Sequence, residues 1–351
     1  MILFIFQDIE RSIRRMVFSE GSGRNRFKHT SGVKGMAAFS VETARKRAEM
    51  MAMVRSFFAE RGVLEVETPS LCSGVAPDCH IDLFDTDFQA VPGNRTEKRY
   101  LLSSPELPMK RLLAAGFPDI FQISRVYRNG EVGRLHNPEF TMLEWYRRGF
   151  DMYRLIDEVI AFLSHLLPEQ RVEMVSYQEI FKRHTGIDPF DTTPGTVEVM
   201  LGHDTENVPA FTSLTDALIY AMAMKVEPLF DKQVLTVVYN YPKDQAVLSV
   251  VDPDDCRAAR RFEVYCKGME LANGFEELTD TSENRRRFEA ENEHRATEGK
   301  VGLPIDSRFL TDLKLGMPQC AGVAIGMDRV LMGMLDVKSI DEVISFGWDR
   351  S

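Results

Sequence analysis

Two glutamates set around a tight turn are the first residues in this 351-residue chain whose types and spacing point to chemistry. The run Arg261-Phe-Glu263-Val-Tyr265-Cys-Lys267-Gly268-Met-Glu270-Leu271-Ala-Asn273-Gly274-Phe275-Glu-Glu277 reads as two strands joined at Lys267-Gly268. A two-residue turn there pairs Tyr265 with Glu270. Side chains alternate along a strand, so Glu263 shares the face of Tyr265 and both carboxylates project from it. Carboxylates so placed can hold Mg²⁺ against phosphate oxygens. A solvated acidic strand would show the same pattern. Gly274 argues against that, because glycine inside a strand marks the close approach of a ligand or another backbone.

A second cluster is Arg125-Val-Tyr-Arg128-Asn129-Gly130-Glu131-Val-Gly-Arg134-Leu-His136-Asn137-Pro-Glu139-Phe140. It reads as a strand, a loop rich in Gly, Arg and His, and a second strand. Such a hairpin sets guanidinium and imidazole groups at one end of a sheet, where they suit a polyphosphate. A charged, solvated hairpin is the plain alternative. The third cluster, Gly322-Val-Ala324-Ile-Gly326-Met-Asp328-Arg329, is a strand of small residues meeting a helix. Glycines there let a flat ring lie on the backbone with Arg329 in reach of the ring or a phosphate. A simple packing junction would look similar.

The elements that must position these clusters are legible in outline. Ala44, Ala48, Met51, Val54, Phe57 and Phe58 recur at spacings of three and four, which predicts a helix over Val41–Arg61 with Ser40 as its cap. Val63 to Pro69 alternates apolar and charged residues and reads as a strand. Tyr100 to Pro105 leads into a helix over Glu106–Ala115, and strands are expected at Asp119–Tyr127 and Phe140–Tyr146. A helix over Met152–Leu167 precedes a helical insertion at about 177–229. Strands return at Leu235–Tyr241, Phe262–Tyr265 and Glu270–Phe275, followed by helices over Thr281–Glu298 and Met327–Leu335. Hairpin-linked strands with helices between them predict an α+β fold, an antiparallel β-sheet flanked by helices.

Residues 1–38, with Gly21-Ser22-Gly23 and scattered basic residues, read as a flexible N-terminal extension, and 39–351 as one folded unit. The net charge of −10 argues against a surface that embraces nucleic acid. The five cysteines form no CxxC, which argues against a disulfide framework or structural zinc site and fits reduced thiols in the cytoplasm. No apolar run is long enough to span a membrane, and the Met1–Phe6 run is too short for a signal core.

Taken in this order and spacing, the clusters resemble motifs 2 and 3 of class II aminoacyl-tRNA synthetases with the acidic strand between them. The likeness to the lysyl branch is the strongest. It is carried by His136-Asn-Pro-Glu-Phe-Thr-Met-Leu-Glu144-Trp-Tyr146, Glu270-Leu-Ala-Asn-Gly-Phe-Glu-Glu277 and Gly326-Met-Asp-Arg329. The segment from Gly62 to Pro69 looks like motif 1, which builds the family's dimer interface, and the likeness covers residues 40–350. Lysyl-tRNA synthetases carry a large anticodon-binding barrel ahead of this domain, whereas at most 38 residues precede it here. That is similar to the stand-alone lysyl-type family of elongation factor P–(R)-β-lysine ligases. Ser104 and Ala324 stand where lysyl-tRNA synthetases have alanine and glycine, changes that suit a β-amino acid.

The resemblance implies an ATP-dependent, AMP-forming ligase that uses Mg²⁺, acts as a homodimer and transfers (R)-β-lysine or lysine to elongation factor P. It places Arg128 on the ATP α-phosphate and His136 and Arg329 on the outer phosphates. Phe140 stacks on adenine with Arg329 over its other face, and Asn129, Gly130, Asn137, Leu271 and Gly326 line the nucleotide site. Glu263 and Glu270 hold Mg²⁺. Glu277, Tyr146 and Glu144 receive the substrate's ε-ammonium, Ser104, Pro105 and Glu106 meet its amino end, and Asn273 and Phe275 complete that site. One departure stands out: the family's Arg-Asn-Glu turn reads Arg128-Asn129-Gly130-Glu131 here. Two other readings compete, a truncated lysyl-tRNA synthetase paralogue that acylates tRNA or a small molecule, and a non-catalytic regulator. The acidic charge counts against tRNA, and retention of Arg128, Glu263, Glu270 and Arg329 counts against the regulator.

Overall fold

The computed structural model describes residues 39–89, 96–202, 211 and 213–351, so the expected extension at 1–38 lies outside the described residues. Ser40 accepts the Thr43 N–H and starts helix α1 (Val41–Glu60), which buries Met50, Val54, Phe57 and Phe58. Strands β1 (Leu64–Glu65), β2 (Leu71–Cys72), β3 (Asp85–Gln89) and β4 (Thr96–Leu101) follow. Helix α2 (Glu106–Ala114) leads to the hairpin of β5 (Ile120–Tyr127) and β6 (Glu139–Arg148), then to α3 (Met152–Leu166). Next come β7 (Arg171–Ser176), helices α4 (Tyr177–Thr185), α5 (Pro194–Leu201) and α6 (Leu214–Ala221), and strand β8 (Val234–Pro242). The chain ends with β9 (Ala258–Cys266), β10 (Met269–Glu276), α7 (Thr281–Thr297), α8 (Ser307–Leu313), β11 (Cys320–Gly326) and α9 (Met327–Leu335).

Eight strands form one sheet in the order β1-β5-β6-β11-β10-β9-β8-β7, and β2-β4-β3 form a small second sheet. From β5 to β8 every neighbour is antiparallel, as expected. The edges differ: β1 runs parallel to β5, and β7 runs parallel to β8. A parallel neighbour needs a crossover, and the chain supplies one each time, through α2 and through α4 to α6. The strand expected over Val63–Pro69 shrinks to two residues at that edge.

Alternation divides the sheet into two faces. Helices α1, α3 and α9 cover one face, packing on Leu143, Trp145, Phe262, Val264, Val323 and Ile325. There Phe58 stacks on Phe121 at 4.5 Å and meets Trp145 edge-on at 5.1 Å, each buried ring contributing roughly 2–3 kcal/mol. The opposite face is covered only at its ends. At one end Leu107 and Leu113 of α2, Phe288 of α7 and Phe309 of α8 pack on Ile120, Tyr146 and Cys320. At the other, Ile180, Phe181, Ala217 and Leu218 of α4 and α6 pack on Val238, Tyr241 and Tyr265. The strip between these two caps carries the polar residues singled out above.

Candidate active site

The acidic hairpin forms as its turn chemistry requires. Lys267 and Gly268 both take positive φ, 53° and 74°, the geometry of a type I′ turn, and Glu270 pairs with Tyr265. A bulge between Glu270 and Ala272 then shifts the register, so Asn273 pairs with Glu263. In a regular strand Glu270 and Asn273, three residues apart, would face opposite ways. The extra residue turns both towards Glu263 and Tyr265. It also sends Leu271 into the hydrophobic core, where its side chain is fully buried, so only its backbone is left to meet a nucleotide. Gly274 serves packing: a Cβ there would overlap the Phe262 ring across the pair, so the close approach read from this glycine is by a side chain and not by a ligand.

Seven of the eight expected substrate residues converge. Ser104, Glu106, Glu144, Tyr146, Asn273, Phe275 and Glu277 line one cleft of about 350 Å³ with Arg128, Met142, Gly322 and Ala324. Pro105 does not join them; it is buried as the residue that starts α2. The cleft floor is acidic and buried. Glu144 accepts from Ser104 Oγ at 2.7 Å and from Tyr146 OH at 2.5 Å. Burial first, and then the charge of Glu106, push its pKa up to about 7. Glu277 is pushed up to about 8, again by burial, although Lys110 opposes the shift.

Lys110 escaped the sequence reading. Its Nζ lies 2.6 Å from Glu106 Oε1 and 2.5 Å from Glu277 Oε2, and its side chain is fully buried. Burial pulls its pKa down, but the two carboxylates more than offset that and hold the ammonium charged. Glu277 therefore carries a cation of the protein's own on one oxygen, and only Oε1 is left to face a ligand. That oxygen points at Gly322, where an added Cβ would lie 2.6 Å from it and overlap the Tyr146 ring. Gly322→Ala should accordingly raise KM for the acid substrate at least tenfold, measured by pyrophosphate exchange, with the KM for ATP little changed.

His136, Asn137, Phe140, Gly326 and Arg329 line a second cavity of about 280 Å³ with Glu131, Leu135 and Asp328. The β5–β6 hairpin builds it: Arg128 N–H closes the loop on Pro138 O at 2.8 Å, and Gly133 and His136 bridge back to back. Arg329, at the start of α9, donates to Glu270 O at 2.8 Å and contacts His136 Nε2 at 2.7 Å. Burial and the facing guanidinium keep the His136 imidazole neutral. Asp328 is nearly fully buried and accepts from Arg47 at 2.6 Å and from Thr141 N–H at 2.7 Å, which fixes α9 against β6 and α1. Arg128 stands between the cavities. It lines the acidic cleft, and its guanidinium lies 5.2 Å from the Phe140 ring centroid.

Asn129 and Gly130 line neither cavity as drawn by its walls. Asn129 N–H donates to Asp82 O at 2.7 Å, and Gly130 takes φ 82°, a left-handed conformation. The Gly130 departure thus makes a turn, and Glu131 behind it, 8% exposed, lines the second cavity. Glu263 sits deeper. Arg261 makes a very short contact with its Oε1, and the hydroxyls of Tyr241 and Tyr265 donate to its Oε2. Glu270 Oε1, by contrast, is buried with no hydrogen-bond partner among the described residues.

A family profile described as tRNA synthetases class II (D, K and N) matches residues 33–350. The chain belongs to this family. A relative named elongation factor P–(R)-β-lysine ligase, from Klebsiella pneumoniae, is 48% identical over 308 residues, 87% of this chain and 95% of that protein. One of the same name from Salmonella arizonae is 46% identical over 314 residues, 89% of this chain and 97% of its own length.

Within this class II synthetase domain, Lys110 had a signal that went unread. It lies three residues from both Leu107 and Leu113, on the buried face of α2, and four residues after Glu106. Glu227, which follows α6, had none: its pKa is pushed up to about 8 by burial and then by the nearby Glu263. Among the described residues the cysteines are free thiols, with Cys79, Cys266 and Cys320 buried, and no helix is long and apolar enough to cross a membrane.

Proposed function

We propose that the chain joins (R)-β-lysine, or lysine, to elongation factor P in two steps driven by ATP. The acid's carboxylate attacks the α-phosphorus and pyrophosphate leaves, giving an acyl-adenylate. The ε-amine of a lysine on elongation factor P then attacks the acyl carbonyl, the amide forms, and AMP leaves. The observation that carries this is the charge of the acidic cleft. Glu106, Glu144 and Glu277 share the cleft with two cations, Lys110 and Arg128; with Arg128 given to the reacting carboxylate, two negative charges remain for a substrate with two ammonium groups. A neutral side chain there would strand a buried carboxylate, at a cost of about 1–3 kcal/mol or more.

Each residue keeps a defined part in this reading. Arg128, which lines the acidic cleft beside Phe140 of the second cavity, meets the reacting carboxylate and α-phosphate and stabilises the charge that builds between them. His136 and Arg329 meet the outer phosphates, Phe140 stacks on adenine, and Asn129, Asn137, Gly326 and the Leu271 backbone border the nucleotide. Glu131 takes the part of the family's turn glutamate. Mg²⁺ suits the residues present, because an all-oxygen donor set includes the unpartnered Glu270 Oε1 and one of roughly four lone-pair positions left on Glu263. Bound there, it would supply positive charge against phosphate oxygens. Ser104 and Ala324 both act at Glu144, one by hydrogen bond and one as its strand partner, which supports a pocket adjusted for the β-amino acid. The names of the relatives support the acceptor. The same reading makes the protein a cytoplasmic homodimer with no role for tRNA.

The raised carboxylates give a pH signature. A substrate ammonium needs Glu277 and Glu144 ionised, and they protonate as pH falls through about 8 and about 7. KM for the diamino acid should therefore rise as pH drops from 9 to 6, by up to tenfold per unit for each protonated group. Stability moves the other way. A carboxylate whose folded pKa lies above its unfolded value destabilises the fold at higher pH, so this cluster's cost is relieved as pH falls through 8. Pyrophosphate exchange with (R)-β-lysine and lysine across this range tests the first half-reaction. Absence of exchange with either acid would favour the regulator reading.

A further inference from the structure

A third cavity, of about 370 Å³, adjoins the acidic cleft and takes no part in the reaction as set out above. Its size is that of a small-ligand site. The end of β2, the loop after it and the start of α2 enclose it. Val75 N–H donates to Pro304 O at 2.9 Å and Asp306 N–H to Val75 O at 3.2 Å, so that loop is pinned beside the start of α8. Gly74 permits the contact, since a Cβ there would lie 2.6 Å from Asp306 Cα. The lining is mostly apolar, with Val75, Leu83, Leu102 and Leu107 in it, and Asp306 adds a carboxylate.

Shared walls decide where this cavity leads. Ser104 and Glu106 line both it and the acidic cleft, whereas the second cavity has no lining residue in common with it. In the reaction proposed above, Ser104 and Glu106 meet the amino end of the acid and Arg128 its carboxylate, so the acyl carbon lies between them. AMP still fills the second cavity when the acceptor attacks, and the amine has to arrive from another side. The third cavity offers that side, and its rim is open: Cys72, Gly74, Ala76 and Leu83 are each partly exposed. We propose that the third cavity admits the acceptor, with the aliphatic stem of a protein lysine along its apolar wall and the ε-amine delivered at Ser104 and Glu106. This rests on the reading of the chain as a ligase that acts on a protein lysine. Such a stem gains by lying on apolar surface, and the carboxylates of Glu106 and Asp306 favour an incoming ammonium. The ammonium loses one proton to solvent on entry, and a second as nitrogen bonds to the acyl carbon and the bond from that carbon to the AMP oxygen breaks.

The test narrows the cavity at two positions that the acid does not touch. Ala76→Phe and Leu83→Trp should each lower kcat/KM for elongation factor P by about tenfold or more, read as labelled (R)-β-lysine joined to it, because the amine is held away from the acyl carbon. Pyrophosphate exchange with (R)-β-lysine should stay at the wild-type rate. Wild-type transfer in both variants would overturn the proposal. A raised KM for (R)-β-lysine in exchange, with transfer falling only in proportion, would also overturn it and give the cavity to the acid. Where a variant does not fold, Ala76→Leu decides by the same two readings. Failure of the unaltered protein to label elongation factor P would instead sink the ligase reading, and this proposal with it.

Discussion

Arg128→Ala should lower the rate of amino-acid-dependent pyrophosphate exchange by about 100- to 1,000-fold, the loss seen when one preorganised donor to a developing charge is removed. The expectation follows from position. Arg128 is fully buried, it lines the acidic cleft, and it stands against Phe140 of the second cavity. Burial also pulls its pKa down, so its charge is held in a poorly solvated place where a facing anion is strongly favoured. Arg128→Lys should recover little, because a compact ammonium cannot reproduce the planar fork. Exchange within a few-fold of wild type in either variant would remove Arg128 from the reacting centre.

Lys110→Met should destabilise the fold by about 3–5 kcal/mol at pH 8, because it strips the shared cation from Glu106 and Glu277. Without Lys110 the already raised Glu277 pKa rises further, so that carboxylate escapes the penalty by taking a proton. The loss measured by denaturant unfolding should shrink as pH falls from 8 to 6. Substrate binding should weaken in the same variant, since protonated glutamates offer nothing to an ammonium. Unaltered stability at pH 8 would mean that the two ion pairs carry little of the cleft's organisation.

The local chemistry of the site was legible wherever it depended on short-range rules. Lys267-Gly268 has the composition of a tight turn, and the turn forms with both residues at positive φ. Seven of the expected acid-side residues share one cleft because β6 and β10, which carry Glu144, Tyr146, Asn273 and Phe275, flank β11, while Glu277 follows β10 and Ser104 and Glu106 stand at the start of α2. What pattern alone could not supply is register and long-range contact. The bulge at Leu271, which turns Glu270 and Asn273 to one face, leaves no mark in composition. Gly274 looked like a ligand approach and proved to be room for Phe262, a residue twelve positions away on the paired strand. The parallel edges depend on where the crossovers land. Glu227 approaches from an insertion whose helices show weak periodicity, so nothing local linked it to Glu263.

Transfer of the activated acyl group tests the central claim most directly. The protein, ATP, Mg²⁺ and labelled (R)-β-lysine would be incubated with elongation factor P and, separately, with lysine-accepting tRNA. The account predicts label on a lysine of elongation factor P, released neither by mild base nor by ribonuclease, and none on tRNA. Label on tRNA with elongation factor P left bare would contradict it.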